Sequence, residues 1–384
     1  MKQTLVIAHG GGPTAVINAS LAGVIEQAKK SSHIDRILAA KHGIQGVINE
    51  DFLDLTELDS SDLQKLKNTP SSAIGSCRYK VKQHEYAKIV ESLEKQNTGI
   101  FLYNGGNDSM DTCLKVSKLV DDIKVIGIPK TIDNDLVGTD HCPGFGSSAR
   151  YYAQSALELA LDVQALNIHV CVAEIFGRNT GWLTASTALA HYLGGLGPKM
   201  ILVPEVRFLK LKFLDRVQEL WDKSNGFLIT CSEGLIDEEG NPVVESSQKD
   251  SFGHSIAGNV SQYLSELIKS ELNIRSRSEK PGILGRVSFE HISEVDRDEA
   301  FEVGKKAVVS ALNGESGKMV VIKRAPSKEY QINYSLLDLK LIANKEKKLP
   351  EKFIDRENFG INKSFYNYCR PLVGDNWPEF FQIL

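Results

Sequence analysis

Five short apolar runs in this chain end in the same way. "TLVIAHGGG" (4–12), "GIFLYNGG" (99–106), "KVIGIPKTIDND" (124–135), "HVCVAEIFGR" (169–178) and "GFLITCSEG" (226–234) each pass from Val, Ile and Leu into glycine and polar residues. Runs this apolar predict strands buried on both faces, which is the condition of a parallel sheet covered by helices. The stretches between them agree. "TAVINASLAGVIEQAKK" and "SSARYYAQSALELALDVQAL" carry apolar residues at helical spacing. In such α/β sheets ligands bind beyond the carboxyl ends of the strands, where this chain concentrates Gly, Asp, Lys and Arg.

A length of 384 residues exceeds one ordinary core. The pattern predicts an α/β fold of two similar lobes with mainly parallel sheets flanked by helices. The first lobe is expected over 1–140 and the second over 141–265, with 266–384 as C-terminal segments packing back on both. "KMVVIKR" reads as one more strand. "LKLIANKEKKLPEKF" (339–353) reads as a charged, solvated connection. Net charge is −4, which gives no general affinity for nucleic acid or anionic membranes. No apolar stretch approaches the ~18 residues that span a bilayer. The N-terminus lacks the apolar core and cleavage site of a signal peptide. Six scattered cysteines show no C-x-x-C spacing. A cytoplasmic protein with reduced thiols is expected.

Three stretches carry candidate chemistry. In "HGGGPTAVIN" (9–18) the glycines let backbone approach a ligand, and the following helix directs its amides at it. A tight strand-to-helix turn accounts for it equally well. "SSAIGSCRYK" (71–80) brings Arg78 and Lys80, able to brace a phosphate, or simply exposed. "GIPKTIDND" (127–135) groups Lys130, Thr131, Asp133 and Asp135. Asp133 can accept a hydroxyl proton, Asp135 can organise water or metal, and Lys130 adds positive charge, a set suited to phosphoryl transfer to an alcohol. The competing reading is an Asx turn capping a helix. Arg178 can fork onto a sugar or its phosphate. Glu233 can accept from sugar hydroxyls or cap a helix.

In order along the chain, "GGGPTAVIN", "IGSCR", "GGNDS", "PKTIDND", "FGRNTGW", "SEG" and "SEVDRDEA" resemble the phosphofructokinase family over roughly residues 3–325. The resemblance implies transfer of a phosphoryl group to the 1-hydroxyl of fructose 6-phosphate, a step of glycolysis, with Mg2+ as cofactor. It implies Asp133 as the base with Thr131 and Asp135 as partners. Gly12, Arg78, Ile132, Phe176, Gly177, Arg178 and Glu233 fall at substrate-binding positions. Arg277 and Arg286 resemble the arginines that hold the 6-phosphate. His169 stands where ATP-dependent bacterial relatives have an arginine. In those relatives this residue and the counterpart of Arg277 come from a neighbouring subunit, which implies a homo-oligomer, dimer or tetramer, with shared active sites. Ile283 replaces a polar residue that touches the sugar.

The resemblance also bears on the donor. ATP users have glycine at the positions of Asp108 and Lys130, whereas pyrophosphate users carry aspartate and lysine, as here. An aspartate occupies the space of the α-phosphate and opposes its charge, so diphosphate is the expected donor. Lys130 then stabilises the transferring phosphate, with Asp108 able to hold it by an ion pair. Asn107 stands where the family usually has a metal-holding acid and is expected in the Mg2+ shell as one neutral oxygen. An ATP-dependent enzyme, or a non-catalytic regulatory subunit on the same fold, are the alternatives. The preferred ketose phosphate stays open, because such acceptors share the reacting end.

Overall fold

The computed structural model describes residues 2–244, 259–327 and 329–377. The strands of its two larger sheets, in chain order, are β1 (Gln3–His9), β2 (Ile34–Ala40), β3 (Phe52–Asp54), β4 (Thr98–Gly105), β5 (Lys124–Pro129), β6 (Val170–Ile175), β7 (Met200–Leu202), β8 (Phe227–Ser232), β9 (Ser276–Glu279), β10 (Lys318–Arg324) and β11 (Ile332–Asp338). The chain divides into two compact units. Unit 1 comprises Met1–Gly146 and Arg286–Lys347, and unit 2 comprises Ser147–Gly285 and Lys348–Leu384. The sequence had placed the breaks near 140 and 265. They fall instead inside the first turn of the helix Phe145–Ala165 and after Gly285, and the C-terminal part is divided between the units.

In unit 1 the described residues form a seven-stranded sheet of order β11-β10-β5-β4-β1-β2-β3. The inner pairs are parallel, and the edge strands β3 and β11 are antiparallel. Every residue of β4 is buried, as the unbroken apolar run required. Side chains alternate between two cores. Val6, Ala8, Phe101, Tyr103 and Val125 pack with Ile89, Leu93, Met110 and Cys113. Leu5, Ile7, Ile100, Leu102, Ile126 and Ile128 pack with Leu21, Val24, Val303 and Ala307. Unit 2 is built on a four-stranded parallel sheet of order β7-β8-β6-β9.

The second core depends on close packing of the helices Ile17–Lys29 and Glu294–Leu312. Gly23 and Gly304 permit it. A Cβ on Gly304 would lie 2.1 Å from Ser20 O, and one on Gly23 2.0 Å from Phe301 O. Both obstacles are backbone and cannot swing away. Ser293 caps the second helix by accepting from Asp296 N–H. One sequence expectation fails here. The stretch 339–353 is not simply solvated: Leu339, Ile342, Leu349 and Phe353 are buried, and Glu346 forms a β-bridge with Leu136.

Gly304→Ala should lower stability despite alanine's better helix propensity. The propensity gain is about 1 kcal/mol, whereas forcing a methyl into packed backbone costs about 1–3 kcal/mol. A fall in the urea midpoint is expected, and an unchanged or raised midpoint would show that the helices separate freely.

Candidate active site

Unit 1 gathers its polar residues where β1, β4 and β5 stop side by side. His9 pairs in register with Asn104, and Gly105 with Pro129. β1 gives way to Gly10–Gly12. Gly11 takes a φ of +77°, open to glycine at little cost. Its N–H donates to Cys77 O at 2.9 Å, and Ser76 Oγ donates to Gly11 O at 2.7 Å. The loop is thereby fastened to the 71–80 stretch.

Three cations converge on this loop. Lys130 Nζ donates to Gly12 O at 2.7 Å. A Cβ placed on Gly12 would lie 3.5 Å from Arg78 Nη2 and 3.8 Å from Arg286 Nε, and one on Gly11 3.2 Å from Lys130 Nζ. Burial, then the nearby Arg78, pull Lys130 down to about 8. Three positive groups beside the glycine loop make a site suited to an anion. Arg286, which the resemblance places with Arg277 at the sugar 6-phosphate, is the first residue of the second unit 1 segment, and Arg277 is on β9 of unit 2.

Beneath the loop is a polar floor. Burial, then Lys130, depress His9 to about 3, so it is neutral. Ser72 Oγ donates to Gly75 O at 2.8 Å, so at 2.8 Å it accepts from His9 Nδ1–H. His9 Nε2 is then an acceptor. It is buried without a protein partner, as are both amide atoms of Asn104. Buried groups of this kind are satisfied by ligand or ordered water.

Asn107 and Asp108 occupy the first turn of the helix Asn107–Ser117. Asn107 Oδ1 is also buried without a protein partner. Asp108 is exposed and forms no ion pair among the described residues. The ion pair with Lys130 is therefore not formed. The lysine turns to the Gly12 carbonyl, and the aspartate faces solvent from the helix end.

The loop after β5 is tightly ordered. Asp133 N–H donates to Thr131 Oγ1 at 3.0 Å, and the Thr131 hydroxyl bonds the Asp135 carboxyl. Burial raises the Asp135 pKa, and its Oδ1 lacks a protein partner. Ile132 is buried between these polar neighbours. Asn134 adopts a φ of +54°, and its Oδ1 accepts from Cys142 N–H at 3.0 Å. Lys347, which the sequence had assigned to the solvated connection, is folded into this loop. Its Nζ donates to Asp140 O at 2.9 Å, Thr139 O at 3.2 Å and Asn134 Oδ1 at 3.3 Å.

His141 lies beyond it, with Nδ1 at 2.9 Å from Asp140 Oδ1 and Nε2 at 2.5 Å from Glu299. Burial opposes its charge, but Glu299 and Asp140 carry it up to about 9. Neither Lys347 nor this histidine cluster was singled out from sequence. Their partners are separated by up to 213 residues, and no local motif marks them.

In unit 2, Phe176, Gly177 and Arg178 follow β6, and Glu233 follows the neighbouring β8. Glu233 Oε1 accepts from Gly177 N–H at 3.3 Å, and Ser232 Oγ donates to Gly177 O. Phe176 meets Tyr152 edge-on, with ring centroids 6.4 Å apart. His169 and Arg277 sit at the opposite end of this sheet. His169 precedes β6, and Arg277 pairs in register with Cys171. The six residues of β6, at ~3.3 Å each, separate the two sets by about 20 Å. Burial and Arg277 lower the His169 pKa, and Arg277 pairs with Glu279 at 2.7 Å. Ile283 is 64% exposed.

A glycine loop ringed by cations, an adjacent pair of aspartates and an α/β frame define a phosphoryl-transfer class of protein. The profile of the family described as Phosphofructokinase matches residues 4–311. Proteins named pyrophosphate–fructose 6-phosphate 1-phosphotransferase from Xanthomonas campestris and Halomonas elongata are 39% and 38% identical to it. Each alignment covers 97% of this chain and 92% of the relative. A crystal structure described as pyrophosphate-dependent phosphofructokinase from Nitrosospira multiformis superposes with a TM-score of 0.88 at 37% identity, covering 100% of this chain and 95% of that one. The chain belongs to the phosphofructokinase family.

The depressed Lys130 has a kinetic consequence. Its positive charge is present below about pH 8 and lost above it. The kcat/KM profile, which reports the free enzyme, should therefore fall on the alkaline side near that value. Lys130→Arg, which does not titrate there, should move that limb upward; an unmoved limb would assign it to another group.

Proposed function

We propose that this protein reversibly transfers a phosphoryl group from diphosphate to the 1-hydroxyl of fructose 6-phosphate, giving fructose 1,6-bisphosphate and phosphate. The observation that carries the reading is the convergence of Lys130, Arg78 and Arg286 on Gly11–Gly12, in the unit that also holds Asp133. The names of near-full-length relatives supply the substrates.

In the forward step the O1 oxygen of the sugar attacks the terminal phosphorus of diphosphate. The bond from that phosphorus to the bridging oxygen breaks, and phosphate leaves. Asp133 takes the proton of O1–H. Thr131 and Asp135 hold the turn that presents Asp133. Lys130, Arg78 and Arg286 offset charge on the donor as it redistributes, which favours the transition state over the bound substrate. Phe176, Gly177, Arg178 and Glu233 are proposed for the sugar.

Mg2+ is the proposed cofactor. The buried Asn107 Oδ1 fits it as a single ligand. Among the described residues no cluster of three acidic, histidine or cysteine side chains offers a full cage. A hard cation carried mainly by diphosphate oxygens and water suits that set. When bound, Mg2+ would neutralise charge on the donor.

His169 and Arg277 stand at the far end of the unit 2 sheet from Glu233. Their place supports a homo-oligomer in which a second copy supplies them to the sugar phosphate. Among the described residues no helix is long and apolar enough to cross a membrane, and a cytoplasmic location is proposed.

Purified protein with fructose 6-phosphate should turn over with diphosphate and Mg2+, and stop on chelation. Turnover with ATP alone would overturn the donor, and no turnover alone but stimulation of a partner would favour a regulatory subunit. Asp133→Asn should cost about 10²–10⁴-fold in kcat, the usual range for a proton-transfer group, with substrate affinity kept. A full rate would refute the base assignment.

Asp108 is proposed to exclude the nucleotide. Two like charges ~4 Å apart at an effective dielectric of ~20 repel by about 4 kcal/mol, and exposure to water reduces this. Asp108→Gly should still tighten ATP binding by about tenfold, equivalent to about 1.4 kcal/mol. An unchanged ATP affinity in direct binding would remove the exclusion role.

A further inference from the structure

Lys347 is far in sequence from the 131–135 loop yet bonds to it and to its flank. Its backbone N–H donates to Asp135 O at 2.7 Å. Its ammonium reaches Asp140 O, Thr139 O and the side-chain oxygen of Asn134 at 2.9, 3.2 and 3.3 Å. Glu346, its neighbour, forms a β-bridge with Leu136. Lys347 is half-buried, and desolvation pulls its ammonium below the ordinary lysine range.

Asn134 is the pivot. It separates Asp133 from Asp135 and holds a φ of +54°, a left-handed conformation that Asn adopts more readily than most side chains. Its side-chain oxygen is shared by Lys347 Nζ and Cys142 N–H. An ammonium with several carbonyl acceptors fixes backbone position more tightly than neutral contacts, since charge-assisted bonds are shorter and stronger.

We propose that Lys347 is a positioning residue for phosphoryl transfer: its ammonium holds the Asn134 turn so that Asp133 meets the acceptor hydroxyl in line with the donor. This rests on the reading of Asp133 as the base. Lys347 touches no substrate on this account and acts through the turn. Losing it displaces the base while the cationic loop and the unit 2 residues stay intact. The loss should therefore fall on kcat and spare KM.

The test compares Lys347→Met and Lys347→Arg with the wild type in the full chain, per folded molecule. Lys347→Met should lose about 10²-fold in kcat, the cost of displacing a group by about 1 Å, with the KM of diphosphate and of fructose 6-phosphate changed less than about threefold. Lys347→Arg, which keeps a charge able to reach carbonyls, should recover about tenfold of that loss. A kcat for Lys347→Met near wild type would overturn the proposal. So would KM values that rise as far as kcat falls, or activity lost only in step with the folded fraction. If Lys347→Met does not fold, Asn134→Gly keeps the backbone conformation and removes the shared oxygen. It should show the same kcat-selective loss, and a wild-type kcat there overturns the role. Absence of diphosphate-dependent turnover in the wild type would remove the underlying reading instead, and is seen before any variant is compared.

Discussion

The bond from Lys130 Nζ to Gly12 O is the contact on which the rest of unit 1 depends. A buried ammonium is costly unless it is paired. Here it has one carbonyl, and the guanidinium groups of Arg78 and Arg286 add to the cost, as its lowered pKa records. That excess of positive charge is relieved by a polyanion. The loop that receives Lys130 can come close only because β1 ends in glycines, and the lysine reaches it only because β5 stops at Pro129. Where β1 and β5 end, on either side of β4, thus decides where these charges meet.

The proposed chemistry also needs a base that does not move. The 131–135 loop lies between a strand and a C-terminal segment that returns from more than two hundred residues away. Thr131 ties the two aspartates from within, and Lys347 holds the turn from outside. Behind them a charged His141 is fixed between Asp140 and Glu299, which anchors the continuation of the loop to the long helix Glu294–Leu312. That helix also closes the core through Gly304, so core packing and the anchoring of this loop share one element.

Much of this was legible in the sequence. The buried parallel strands, the glycine loop, Lys130 with its aspartates, and the polar strand ends at Arg178 and Glu233 are local patterns. Other assignments needed distance. Arg286 and Arg277 are nine residues apart and read as a pair, yet the chain passes from one unit to the other between them. Asp108 and Lys130 suggested an ion pair by proximity to the same ligand. The helix end turns one outward, and burial turns the other inward. Lys347 was hidden among lysines and glutamates whose pattern is that of a solvated surface.

What the sequence determined alone was the alternation of apolar strand and helix, and with it an α/β frame with reactive loops at the strand ends. Hydrophobic periodicity and glycine placement act over a few residues, so they are readable without the fold. What only the tertiary structure decided was which charges become neighbours. Cations crowded on Gly12, an ammonium seated on Asn134 and a histidine held between two carboxylates all join residues far apart in the chain. Their energies depend on burial and on distances of a few ångströms, which no spacing in the sequence encodes.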